Sequence, residues 1–244
     1  MIWNRFLVRA HCLRQRAGMI AGAVLIFMTL GGCSDAPKVA PGCYLNGSVP
    51  GPARRAVEKA ADTFYEQLRS RQYEAAYTEA AAQMKQRVDK QQVAMAWTSI
   101  AEILTLPATL ATEEIALVAV AEGDRGPREL VCTDPADTSA SRRMMATDQP
   151  LQTYLIQSGL VNGTLYNFAS VWFYEEGKWR IATFGTKPRA VADHDWAWWR
   201  NLAREQQTRG HSRNAALLYN LAMDLLVPAP WVRPGALDQL MAEQ

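Results

Sequence analysis

The chain has 244 residues, with 26 Lys and Arg against 24 Asp and Glu, a formal net charge of +2. This near-balance gives no electrostatic case for nucleic-acid binding, and the length suffices for one large or two modest domains.

Residues 1–16 carry Arg5, Arg9, Arg14 and Arg16 and no acid, and an uncharged, mostly apolar run follows to Leu30. A basic segment, a short apolar segment and small residues at the end form the pattern of a secretory signal peptide. The apolar run is shorter than the roughly 20 residues that a membrane-spanning helix needs. It closes on Leu30-Gly31-Gly32-Cys33, which resembles the lipobox of bacterial lipoproteins. That resemblance implies cleavage after residue 32, acylation of Cys33 as the new N-terminus, and a membrane partner reached through the N-terminal lipid. Ser34, where an Asp would favour retention in the inner membrane, implies an envelope location on the periplasmic face, the outer membrane more readily than the inner.

Removal of residues 1–32 takes away four Arg and no acid, leaving 22 basic against 24 acidic residues and a net charge of −2. It also takes Cys12, and with Cys33 acylated only Cys43 and Cys132 remain as thiols. In an oxidising compartment these two are a candidate disulfide, although sequence leaves its geometry open.

Residues 33–53 contain Pro37, Pro41, Pro50 and Pro52 beside Gly42, Gly47 and Gly51, a composition that reads as a tether. Three helices are expected next. Val57, Ala61, Phe64 and Leu68 form the first apolar stripe, Tyr73, Ala76, Tyr77, Ala80 and Met84 the second, and Val93, Trp97, Ile100 and Leu104 the third. Pro107 ends the helical region. Strands are expected over residues 114–120 and 129–133, and residues 133–150 read as a polar insertion. The clearest signal is an antiparallel meander: residues 151–161, Asn162-Gly163-Thr164, residues 165–174, a Glu175-Glu176-Gly177 turn and residues 178–184. Both faces of its middle strand are apolar, which demands cover on both sides or a curved sheet enclosing a pocket.

Three helices followed by strands that end in Val171-Trp172-Phe173-Tyr174-Glu175-Glu176-Gly177-Lys178-Trp179-Arg180-Ile181 resemble the nuclear-transport-factor-2-like, or cystatin-like, superfamily. The resemblance implies an α+β fold over residues 54–187, with three N-terminal helices packed on a curved, cone-like antiparallel sheet. It also implies a candidate pocket lined by Tyr154, Tyr166, Phe168 and Trp172, with Asp134 or Asp137 at its mouth.

Residues 188–244 read as an α-helical hairpin. Trp199, Leu202, Ala203, Gly210, Ala215, Tyr219 and Ala222 fall near the spacing of one tetratricopeptide repeat, and an ordinary helical hairpin is the alternative. A lone repeat cannot bury its own apolar face, so Trp198, Trp199 and Tyr219 are a candidate partner surface, for an envelope protein or for a second copy in a homodimer. Asp193-His194-Asp195 reads as a helix cap, by either Asp, and not as a metal site. No nucleophile, phosphate-loop or dinucleotide motif occurs, so no catalytic residue, metal or cofactor is assigned. The expected function is that of a membrane-anchored, non-enzymatic protein-binding or envelope assembly factor. The alternative is a small-molecule binder or enzyme with its pocket on the concave sheet face.

Overall fold

The computed structural model describes residues 37–244, except 122, 125 and 135 and the side chains of 137–140. The expected signal peptide and the acylated Cys33 lie outside the described residues. The described chain is α+β, with seven helices and mostly antiparallel strands. In chain order they are β1 (Gly42–Leu45), α1 (Gly51–Arg69), α2 (Tyr73–Thr78), α3 (Ala82–Arg87), α4 (Lys90–Ile103), β2 (Ala111–Ala119), β3 (Arg128–Asp134), β4 (Asp137–Ala146), β5 (Leu151–Val161), β6 (Thr164–Glu175), β7 (Lys178–Pro188), β8 (Ala190–Val191), β9 (His194–Asp195), α5 (Trp196–Thr208), α6 (Ser212–Leu226), β10 (Val232–Pro234) and α7 (Ala236–Glu243).

The central sheet has the order β1-β2-β5-β6-β7. Asn162-Gly163 and Glu176-Gly177 all have positive φ, between 50° and 85°, as tight two-residue hairpin turns require. On the front face, α1 lays down Ala53, Val57, Ala61, Phe64 and Leu68, and α4 adds Val93 and Trp97. Phe64 meets Trp97, Trp172 and Phe184 edge-on at centroid distances of 5.1, 5.8 and 5.4 Å. Side chains therefore fill the space around Phe64, and an open groove remains toward the β6–β7 end, between α1 and Trp172, Tyr174 and Trp179.

The second expected helix is two. Between α2 and α3 the chain straightens so that the Ile181 amide donates to the Glu79 carbonyl (2.9 Å) and the Ala81 amide to the Ile181 carbonyl (2.8 Å). Strand β7 is the edge of the sheet, and an uninterrupted helix would leave these backbone groups without those partners. Among the described residues, the α-helices before β2 thus number four.

The back face is covered as well. A smaller sheet, ordered β10-β4-β3, presses Cys132, Met144, Ala146 and Val232 against Ala116, Val118, Tyr154, Ile156, Val171 and Phe173. Strand β4 and its turn occupy most of the expected polar insertion. The expected tether is also partly fold: β1 pairs with β2, Val39 packs on the front core, and α1 starts at Gly51 with Pro52 in its first turn. A proline there gives up an amide that has no intrahelical partner anyway. Cys43 on β1 and Cys132 on β3 form a disulfide with Cα atoms 5.0 Å apart, joining the two sheets.

Helices α5 and α6 meet across Gly210, whose φ of 77° makes the turn, and α7 folds back so that Leu240 joins Ala203, Ala215, Tyr219 and Ala222 in a separate small core. The segment after α6 ties this trio to the sheets by placing Ala229 and Val232 in the back-face core.

Candidate functional site

The expected pocket residues do not share a site. Phe168 and Trp172 are buried on the front side of the sheet with Tyr166 packed near Phe168, whereas Tyr154 projects from the back face. Its hydroxyl donates to the Met145 carbonyl, and burial pushes its phenol well above the ordinary value. Trp172 Nε1 donates to Ser170 Oγ at 2.8 Å. Asp134, expected at a pocket mouth, is instead buried on β3, where it accepts from Asn46 Nδ2 (3.2 Å) and from the Ala136 amide (2.9 Å). It serves a turn.

One open groove, about 680 Å³, lies on the front side between α1 and the β6–β7 end, lined by Ala56, Lys59, Trp172, Tyr174 and Trp179 among others, and two more clefts lie behind the sheet, under the C-terminal helices. One, of about 480 Å³, is lined by Glu113, Glu114, Arg142, Asn167, Arg189 and Trp196 among others. Its chemistry begins with a bulge: β2 slips register against β5 between Thr112 and Glu114, placing an extra residue, Glu113, in the strand. Bulges re-aim side chains. Glu113 takes the Ser158 hydroxyl and approaches Arg189 at 3.5 Å. Glu114 turns toward the small sheet, where Arg142 Nε donates to its Oε2 at 2.8 Å. The other oxygen, Oε1, is buried with no hydrogen-bond partner. Burial raises the Glu114 pKa, and the nearby Arg142 opposes the rise without cancelling it. A carboxyl of this kind, in a cleft beside a fixed guanidinium, is suited to holding a polar group or a proton.

The neighbouring cleft, about 710 Å³, runs between Gly185, Lys187, Met223, Trp231 and Leu237. Lys187 Nζ closes one side by donating to Asp224 Oδ1 (2.8 Å) and the Val227 carbonyl (3.2 Å) at the end of α6. A cation at a helix C-terminus complements the exposed carbonyls and the macrodipole.

The expected partner residues also separate. Tyr219 is buried between α5 and α6, its hydroxyl donating to Gln207 Oε1 at 3.2 Å; it belongs to the core because its helix needs a filler opposite Ala203. Trp199 packs on the same core and donates Nε1 to the His194 carbonyl at 3.1 Å. Trp198 is 39% exposed and stacks on the His194 ring at 3.7 Å and 3°. Asp195 is the cap of α5, accepting from the Trp198 amide at 3.0 Å. No group of three metal-ligating side chains occurs among the described residues, and none of their helices is long and apolar enough to cross a membrane.

Sequence reasoning missed the Glu114–Arg142 pair. The available signal was the Glu113-Glu114 doublet opening an otherwise apolar strand and the Arg142-Arg143 doublet before Met144-Met145. Two like charges in succession on a strand place one on each face, so one of them has to be buried or bulged.

Comparison with known proteins returns no match: no family model, no curated protein and no solved structure is similar to this chain.

Proposed function

We propose that this chain is a lipid-anchored, periplasmic-face lipoprotein of the cell envelope, acylated at Cys33, which binds a protein partner and catalyses no reaction. The observation that carries the binding half is the His194–Trp198 stack. A large aromatic ring is held rigid at the start of α5 while remaining 39% exposed, and Trp is enriched among residues that dominate binding energy. The anchoring half rests on the lipobox, and the outer membrane is the proposed destination. The cone-like reading of residues 54–187 draws support from helices on one face of an antiparallel sheet. The repeat-like reading of residues 188–244 draws support from the close α5–α6 pair.

The test is capture by crosslinking from intact envelopes. A partner should be enriched with the acylated wild type, be lost with Trp198→Ser, and be kept with the exposed control Leu217→Ser. Equal recovery with Trp198→Ser ends the proposal. A second reading, small-molecule binding, is favoured by the unpaired Glu114 oxygen, and puts its pocket in the cleft behind the sheet. Calorimetric titration with small amines, compared between wild type and Glu114→Gln, separates it from the first.

A further inference from the structure

The expected tether spans residues 33–53, but most of it is folded, and this bears on how the molecule stands on its membrane. Val39 packs in the front core, and Pro37 already lines a groove with Ala56, Lys59, Tyr174, Lys178 and Trp179. Only three residues, Ser34 to Ala36, separate the proposed lipid-bearing Cys33 from Pro37. Four backbone steps span at most about 14 Å.

Strand register says which end of the sheet this is. Gly42 pairs with Ala119, Ala119 with Leu151, Gln152 with Phe173 and Glu175 with Lys178. The chain therefore enters at the end that carries the β6–β7 turn. The opposite end carries the β5–β6 turn, where Val161 pairs with Thr164, and the pairing of Ala111 with Ser158. Glu113, Leu165 and Arg189 of the polar cleft lie near that opposite end. Along β6 the ten steps from Leu165 to Glu175 measure roughly 33 Å at about 3.3 Å per residue.

We infer, resting on the lipoprotein reading, that the β6–β7 turn end faces the bilayer at close range and that the Glu113–Glu114 cleft is held at the membrane-distal end. The occupant of the proximal face is the phospholipid headgroup layer. The exposed side chains there are charged, among them Lys38, Asp148, Glu176 and Lys178, which suits a hydrated headgroup region and not insertion into acyl chains. At the distal end, Leu160 is 63% exposed and Ile103 76%, apolar groups placed where a partner, not lipid, reaches them.

The test uses the acylated full mature protein in vesicles of phosphatidylethanolamine and phosphatidylglycerol. Either Lys178→Cys or Leu160→Cys is labelled with an environment-sensitive fluorophore, the native disulfide being left intact, and a quencher is carried on lipid headgroups. Loss of most of the emission at 178 and none at 160 is expected, and a flexible Gly-Ser insertion after Asp35 should abolish the difference. Equal quenching at both positions, stronger quenching at 160, or a difference that survives the insertion overturns the inference. An intact mass without acyl chains on Cys33 overturns the lipoprotein reading itself, and is recorded separately before any vesicle is made.

Discussion

Glu114 and Arg142 form a pair whose two halves are unequally exposed, with side-chain exposures of 12% and 26%. Removing the guanidinium leaves a buried carboxyl with neither oxygen paired, so Arg142→Met should cost about 1–3 kcal/mol, whereas Glu114→Gln, which keeps shape and an acceptor, should cost less. The pH signature has a definite sign. Burial raises Glu114 above its ordinary 4.5, so the folded state holds this proton more tightly than the unfolded chain does. Stability from this group is complete below pH 4.5 and declines as pH rises through the raised value. Urea midpoints measured across that range should show the decline in wild type and not in Glu114→Gln. Glu243 behaves oppositely. Hydrogen bonds from Arg200 and Arg204 hold its carboxyl down at about 2, so its contribution is present above pH 4.5 and fades as pH falls toward 2. Glu243→Gln should flatten that acid limb while leaving the Glu114 limb unchanged.

At the scale of elements, the sequence was most informative where a single residue type has one physical use. Asn162-Gly163 and Glu176-Gly177 announced two hairpins because positive φ is inexpensive at Gly and tolerable at Asn, and the stripes of α1 and α4 announced a covered sheet face. Where two elements compete for the same backbone, periodicity failed. Ala80 continued the helical stripe after Tyr73, yet the free edge of β7 claimed Glu79 and Ala81. Strand β4 was hidden because Arg142 and Arg143 look like loop residues until Glu114 and Asp238 are found opposite them. Strand β1 was hidden by its proline-rich flanks, although Cys43 lies within it. That placement gives the disulfide a structural task, since it fastens the short edge strand β1 to the small sheet. Closing a loop of 89 residues is worth up to about 4.6 kcal/mol in the chain-entropy model, and measured losses run about 2–5 kcal/mol. The double variant Cys43→Ala/Cys132→Ala should lose stability in that range and release β1 first. Hydrogen exchange at residues 42–45 would then rise well above that of β5, and unchanged protection of β1 would show that backbone pairing alone holds it.

Over the described residues as a whole, the arrangement is three packed layers with the C-terminal trio fastened behind them. The trio has its own core around Tyr219 and Leu240, so by burial alone it is able to open separately. A small set of contacts joins it to the sheets, one of them Lys187 of β7 on Asp224 and the Val227 carbonyl at the end of α6. Ala229 and Val232 enter the apolar layer between the two sheets, and Asp238 on α7 receives both Arg143 from β4 and Arg233 from β10. The ion pairs are partly exposed and individually weak. The apolar pin is therefore the stronger link, and its loss should divide one cooperative unit into two. Ala229 is 4% exposed, so Ala229→Asp forces a carboxylate into an apolar layer at a cost of several kcal/mol. In wild type, the slowest amides of β5–β6 and of α5–α6 should exchange with the same opening free energy. In the variant, α5–α6 should exchange first while β5–β6 keep their protection, and both clefts, which need the trio as one wall, should be lost before the sheet unfolds. If the two sets of amides stay matched at a lower common value, the trio and the sheets are a single unit held by more than this pin.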